Sequence, residues 1–162
     1  MTEPVILMQA ELEAALAHWQ GILRLRDWDI VIAIKRRKQW AGSSEGVANS
    51  DWHLASRHAT IHILDAADYA ADTFEQPQDM EEDLVHELLH GLYHEELISI
   101  EASGLRRNMF EAAINATASA LVRLSRLDPR IPTATTVTVG EMVADVSKVQ
   151  VQVRSDGISP RD

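Results

Sequence analysis

A chain of 162 residues, 46% hydrophobic and without low-complexity runs, is long enough for one well-buried core and too short for two full domains. It has no cysteine, which excludes disulfide frameworks and thiolate zinc fingers and leaves only nitrogen and oxygen ligands for a metal. A formal net charge of −10 argues against a general nucleic-acid or anionic-membrane binder, because phosphate contacts need clustered cations.

The opening residues, Met1 to Met8, carry no basic segment and only a short apolar run, so neither a signal peptide nor a membrane span is expected, and a cytoplasmic location follows as the expectation. Residues 9 to 26 place Leu12, Leu16, Trp19 and Leu23 on a helical stripe, with acids early and Arg24 and Arg26 late, as the helix dipole prefers. This predicts a packing helix with His18 on its exposed surface. Asp27-Trp28-Asp29 breaks the pattern, and Ile30 to Ile34, apolar at every position, is expected to be the central strand of a sheet. Lys35 to Lys38 is the one basic run and reads as a solvated strand end or loop rather than a nucleic-acid patch.

Gly42 to Gly46 is a turn, and Val47 to Leu54, with polar residues interspersed, is an edge or half-exposed strand. Ala59 to Leu64 is a third strand, with Ile61 and Ile63 on one face and Thr60, His62 and Leu64 on the other. His53, His58 and His62 have no ligand spacing to one another and are read as sheet residues. Asp65 to Gln78 is a polar loop with a short helical piece at its start.

The next stretch, Asp79 to Leu97, reads as helix and contains His86-Glu87-Leu88-Leu89-His90, an H-E-x-x-H pattern. Asp79 and Glu82 form a D-x-x-E capping box, and Glu81, Glu82 and Asp83 load the first turn with the negative charge a helix N-terminus favours. Leu84, Val85, Leu88, Leu89 and Leu92 cover one arc, while His86, Glu87 and His90 share the other. Positions four apart on a helix stack on one face, so His86 and His90 can aim ring nitrogens at one ion. Glu87 lies beside that ion, able to hold a water without ligating the metal.

A catalytic zinc needs a third protein ligand. His94 is about 12 Å along the axis from His86, too far to share the ion. The H-E-x-x-H-x-x-G-x-x-H pattern fails at Tyr93 and Glu96. A second helix, Leu105 to Leu127, has Phe110, Ile114, Leu121 and Leu124 at helical spacing and a single acid, Glu111, among Arg106, Arg107, Arg123 and Arg126. A partner is the simplest explanation of that lone carboxylate. Asn115, one turn on, is spaced to accept the spare N–H of a ligating histidine.

His86-Glu87-x-x-His90 followed by Glu111-Ala-Ala-Ile-Asn115 resembles the gluzincin branch of the zinc peptidases. There the third ligand is a glutamate on the next helix, and a residue one turn beyond it, usually aspartate, contacts a ligating histidine. Asn115 departs from that pattern in charge. The chain also resembles small H-E-x-x-H proteins of phage and prophage genomes, through Trp28-Asp-Ile-Val-Ile and Ala59-Thr-Ile-His-Ile ahead of the helix. The likeness covers about residues 10 to 127. It implies one Zn2+ per chain held by His86, His90 and Glu111, and peptide substrates lying antiparallel to an edge strand, here within Val47 to Leu54 or Ala59 to Leu64.

The expected architecture is α+β, a minimal zincin-like fold: a packing helix, a small twisted sheet of about three strands, and two metal helices against its face, with zinc between helix and sheet. Residues 1–130 form that domain, and 131–162 a C-terminal tail. The expected function is peptide-bond hydrolysis by a zinc-activated water, with Glu87 as general base. Tyr93, His94 and Arg106 are all open as stabilisers of the oxyanion. Two rival classes are a non-catalytic, zinc-stabilised binding or virion-associated module, and a metalloprotein acting beside nucleic acid through Lys35 to Lys38. The tail has alternating segments at Thr136 to Val139 and Val149 to Val153, which are strand signals without a sheet. Three readings stay open for it: a strand docked across the cleft, a dimer contact at a remote edge, or a frayed end.

Overall fold

The computed structural model describes residues 3–40, 46–70, 76–93 and 104–127. The chain order is α1 (Gln9–Ile22), β1 (Asp29–Lys35), β2 (Ala48–His53), β3 (His58–Leu64), α2 (Met80–Leu92) and α3 (Leu105–Leu127), with short 3-10 turns at Arg37–Gln39 and Ala66–Asp68. This is an α+β arrangement of three helices and a small mixed sheet.

The strand order is β1-β3-β2, with β1 parallel and β2 antiparallel to β3. The strand expected in the centre, Ile30 to Ile34, therefore lies at an edge. Its alternation explains the difference: Ile32 is buried, whereas Val31, one residue earlier on the opposite face, is 50% exposed. The run is apolar on both faces, but only one face is covered. β3 takes the centre because it forms a hairpin with β2 on one side and accepts β1 on the other, and its Ala59, Ile61 and Ile63 are fully buried on the helix-facing side.

The free edge of β1 is occupied by a side chain of α1. The Gln9 amide donates to the Ile32 carbonyl at 2.8 Å and accepts from the Ile34 N–H at 3.2 Å, imitating a neighbouring strand. Leu12, Ala15, Leu16 and Trp19 of α1 then enter the core. His18 is half-buried rather than exposed, its edge against Trp19 and its Nε2 shielded from solvent. The basic run is folded into the tip of the sheet: Arg36 makes a bidentate pair with Asp68 at 2.6 Å, and Arg37 donates to the Gly46 carbonyl and stacks over Trp40. Two of its four cations are thus accounted for by internal contacts.

The start of α2 is fixed from several sides. The Asp79 carboxylate accepts from the Glu82 N–H at 3.1 Å, supplying the expected N-cap. Arg126 of α3 donates to Asp79 and Glu81, and the Trp19 indole donates to Glu81 at 3.0 Å. Leu84, Val85, Leu88 and Leu89 are buried as the periodicity predicts, whereas Leu92 at the last turn is largely exposed. α2 ends at Leu92, with Tyr93 as its cap; His94 to Leu97 lie outside the described residues. α3 spans the predicted range but turns Ile114, Ala118 and Val122 inward and leaves Leu124 exposed. The tail from residue 128, with both of its strand-like segments, also lies outside the described residues. No helix among the described residues is long and apolar enough to cross a membrane.

Candidate metal centre

His86 and His90 sit one turn apart on the side of α2 that faces α3 and β2, with ring centroids 4.6 Å apart. Their Nε2 atoms are 2.9 Å from each other, and Oε2 of Glu111 on α3 is 3.7 Å from the first and 3.4 Å from the second. Sequence separation of more than twenty residues is closed by the packing of Ile114, Ala118 and Val122 against α2. Among the described residues this is the one group of three His, Cys, Asp or Glu ligand atoms close enough together to share an ion. A triangle with these sides has a point about 2 Å from all three corners, the distance at which zinc takes imidazole nitrogen and carboxylate oxygen. The donor set therefore fits a small divalent ion.

The groups around the triangle prepare it. Burial lowers the pKa of His86, against the opposing pull of Glu111 and of a hydrogen bond to Asn115. His90 is lowered to about 4, by burial first and then by His86. Both rings are neutral near pH 7, the form that ligates. Glu111 divides its carboxylate, with Oε1 held by Arg107 at 2.6 Å and Oε2 left facing the histidines. Arg107 is one helical turn before Glu111, a pairing that the i, i+4 spacing in the sequence already carries.

Glu87 is 5% exposed, and burial pushes its pKa up to about 7 despite the Ser50 hydroxyl, which donates to Oε2 at 2.5 Å. Ser50 lies on β2, and no spacing in the sequence connects it to the motif. The same strand forms a wall of the cleft, which measures about 560 Å³ and is lined by Ala48 to Trp52 together with His86, Glu87, His90, Arg107 and Glu111. β2 is thus the edge strand beside the site, and Ala59 to Leu64 is the interior one.

The gap between β2 and α2 is set by Gly91. The Trp52 ring lies directly on it, and a Cβ there would fall 2.1 Å from a ring carbon. Trp28, in the turn just before β1, packs edge-on against Trp52 at 5.0 Å. No side chain other than hydrogen fits at the residue following His90 unless the Trp52 ring, the helix or the strand moves. Of the other sequence candidates, Tyr93 packs edge-on against Phe110, and Arg106 is exposed and does not line the cleft. His94 lies outside the described residues, as do Glu95, Glu96 and Glu101. His53, His58 and His62 stay on the sheet, paired with Asp51, Asp29 and Asn49 respectively.

Comparison with protein families, with curated proteins and with solved structures finds no match to this chain.

Proposed function

We propose that the protein is a zinc-dependent peptidase of the gluzincin kind, with His86, His90 and Glu111 as ligands and Glu87 as general base. The observation that carries this reading is the combination in one cleft of a three-donor triangle and a buried carboxylate beside an open edge strand. Nitrogen, nitrogen and oxygen donors without thiolate suit zinc, and three protein ligands leave the open position a catalytic ion requires. When bound, the ion supplies Lewis acidity toward a carbonyl oxygen and makes water more acidic.

The chain's own residues provide the rest. A carboxyl group with a pKa of about 7 takes a proton from water and returns it to a leaving nitrogen near neutral pH without a large penalty in either direction. Ser50 engages one Glu87 oxygen and leaves the other for water. An extended peptide can pair with the outer edge of β2 as an added strand, gaining affinity through main-chain hydrogen bonds.

The test joins metal analysis to a peptide-library cleavage assay. Wild type is expected to bind one zinc and cleave peptides. Glu111→Ala is expected to lose about 100-fold or more in zinc affinity, and Glu87→Gln to keep zinc while turnover falls about 1,000-fold or more. A zinc-loaded wild type that cleaves nothing in the library sinks the peptidase reading, and unchanged zinc affinity in Glu111→Ala removes Glu111 from the site.

A further inference from the structure

A second cavity, about 780 Å³, opens between the first half of α2 and α3. A smaller one of about 240 Å³ lies between it and the metal cleft, sharing Ala48, His86 and Glu87 with the cleft and Glu82, Asp83 and Asn115 with the large cavity. Along α2, Asp83 and Glu82 precede His86 by three and four residues, about one helical turn or ~5–6 Å. A side chain held at the reacting centre can therefore extend to them.

Two acceptor atoms on residues of this cavity's wall have no donor. Gln78 is 3% exposed; its amide NH2 donates to the Leu64 carbonyl at 2.7 Å, while its Oε1 is buried without a partner. Oδ2 of Asp83 is likewise buried and unpartnered. Burial, and after it the anionic charges of Asp79, Glu87 and Glu82, raises the pKa of Asp83 to about 8. The two arginines at the cavity do not relieve it: Arg126 is engaged by Asp79 and Glu81, and Arg123 acts on Glu82. Buried acceptors without donors cost free energy unless a ligand brings the donors. A metal ion is the weaker candidate, because no set of three ligand atoms converges there among the described residues.

We propose that this cavity is a side-chain subsite for lysine or arginine, with Asp83 as the specificity-determining residue, so that the substrates are peptides carrying a basic residue next to the bond held at the metal centre. An ammonium or guanidinium on a flexible stem brings the charge Asp83 lacks and the N–H donors that Asp83 and Gln78 both lack. The substrate class rests on the peptidase reading; the binding of a basic side chain does not.

The experiment compares peptides that differ only in Lys or Arg against norleucine at one position. Binding is measured by calorimetry to zinc-loaded Glu87→Gln, and cleavage with wild type. The basic peptides are expected to bind about 10-fold or more tightly than the norleucine peptide, a preference that falls below about twofold when Asp83→Asn is added. Asp83→Asn keeps the shape and replaces a largely protonated carboxyl with a neutral amide, so folding is preserved, and Glu82→Gln is expected to weaken the preference by a smaller factor. Equal binding of basic and norleucine peptides, or a preference untouched by Asp83→Asn, overturns the subsite. Cleavage without basic preference overturns it while leaving the peptidase intact. Asp83-dependent retention of basic peptides by a protein that cleaves nothing supports the subsite and overturns the peptidase.

Discussion

The start of α2, at Asp79 and Glu81, and the stretch from Asp83 to His90 are built on opposite terms. At its start, Asp79 caps the helix and accepts from Arg126, and Glu81 accepts from both Arg126 and Trp19. From Asp83 onward the buried polar groups are under-supplied. Asp83 has an orphan oxygen, Glu87 has one donor on its carboxylate, and the Nε2 atoms of His86 and His90 converge with Oε2 of Glu111. Saturated polar groups position the helix, and unsaturated ones mark where something from outside the chain belongs.

Gly91→Ala breaks the unsaturated stretch most directly, because the new methyl lands on the Trp52 ring. Destabilisation of about 3 kcal/mol is expected in denaturant titration, with zinc affinity falling as β2 and α2 are forced apart. An unaltered midpoint would mean that Trp52 does not set the gap.

Asp83 should make the protein less stable as pH rises. Its folded pKa, about 8, lies above the ordinary carboxylate value, so the folded state holds a proton that the unfolded chain gives up from about pH 4. The stabilisation is complete below that value and is lost as pH climbs toward 8. Asp83→Asn is expected to remove about 3–4 kcal/mol of the difference between pH 5 and pH 8 in metal-free protein. An identical pH profile for the two would show that Asp83 is ionised throughout.

A smaller effect is expected at Asn115, which bonds to the His86 side chain. Asn115→Leu should weaken zinc binding about 10-fold with little change in helix content, and an unchanged affinity would make Asn115 a mere surface residue. Arg126→Gln acts on the saturated start. Its side chain is 31% exposed, so the loss should be about 1 kcal/mol in thermal unfolding with zinc affinity unmoved. A fall in zinc affinity there would erase the contrast between the two regions.

What was legible in the sequence was carried by local spacing. The His86–His90 pair, the Asp79 cap, the lone acid Glu111 and Asn115 one turn on all follow from helical periodicity, and the structure brings these helices together. The order of the strands was not legible. An apolar run such as Ile30 to Ile34 records how many residues are hydrophobic, not which face another layer covers. Ser50, Trp52 and Gly91 were missed because their meaning exists only across the gap between β2 and α2, with no periodic signal in either segment. Leu124 misled for the opposite reason: it has the right spacing on α3, but the packed stripe is the one through Ile114, Ala118 and Val122.

The Gln9 clamp on β1 has a consequence for solubility. Asp29 to Lys35 is an uninterrupted β-forming segment with one charge at either end and no proline, the kind of sequence that templates cross-β stacking when its edge is bare. One amide side chain holds part of that edge in the folded state, so fraying of the first turn of α1 would uncover it before the core opens. The opposite edge, Ala48 to His53, is polar and poor in β-branched residues, and it can stay open beside the cleft with little risk of pairing with another copy. The sheet thus keeps its sticky margin shut and leaves the reluctant one free to receive a guest.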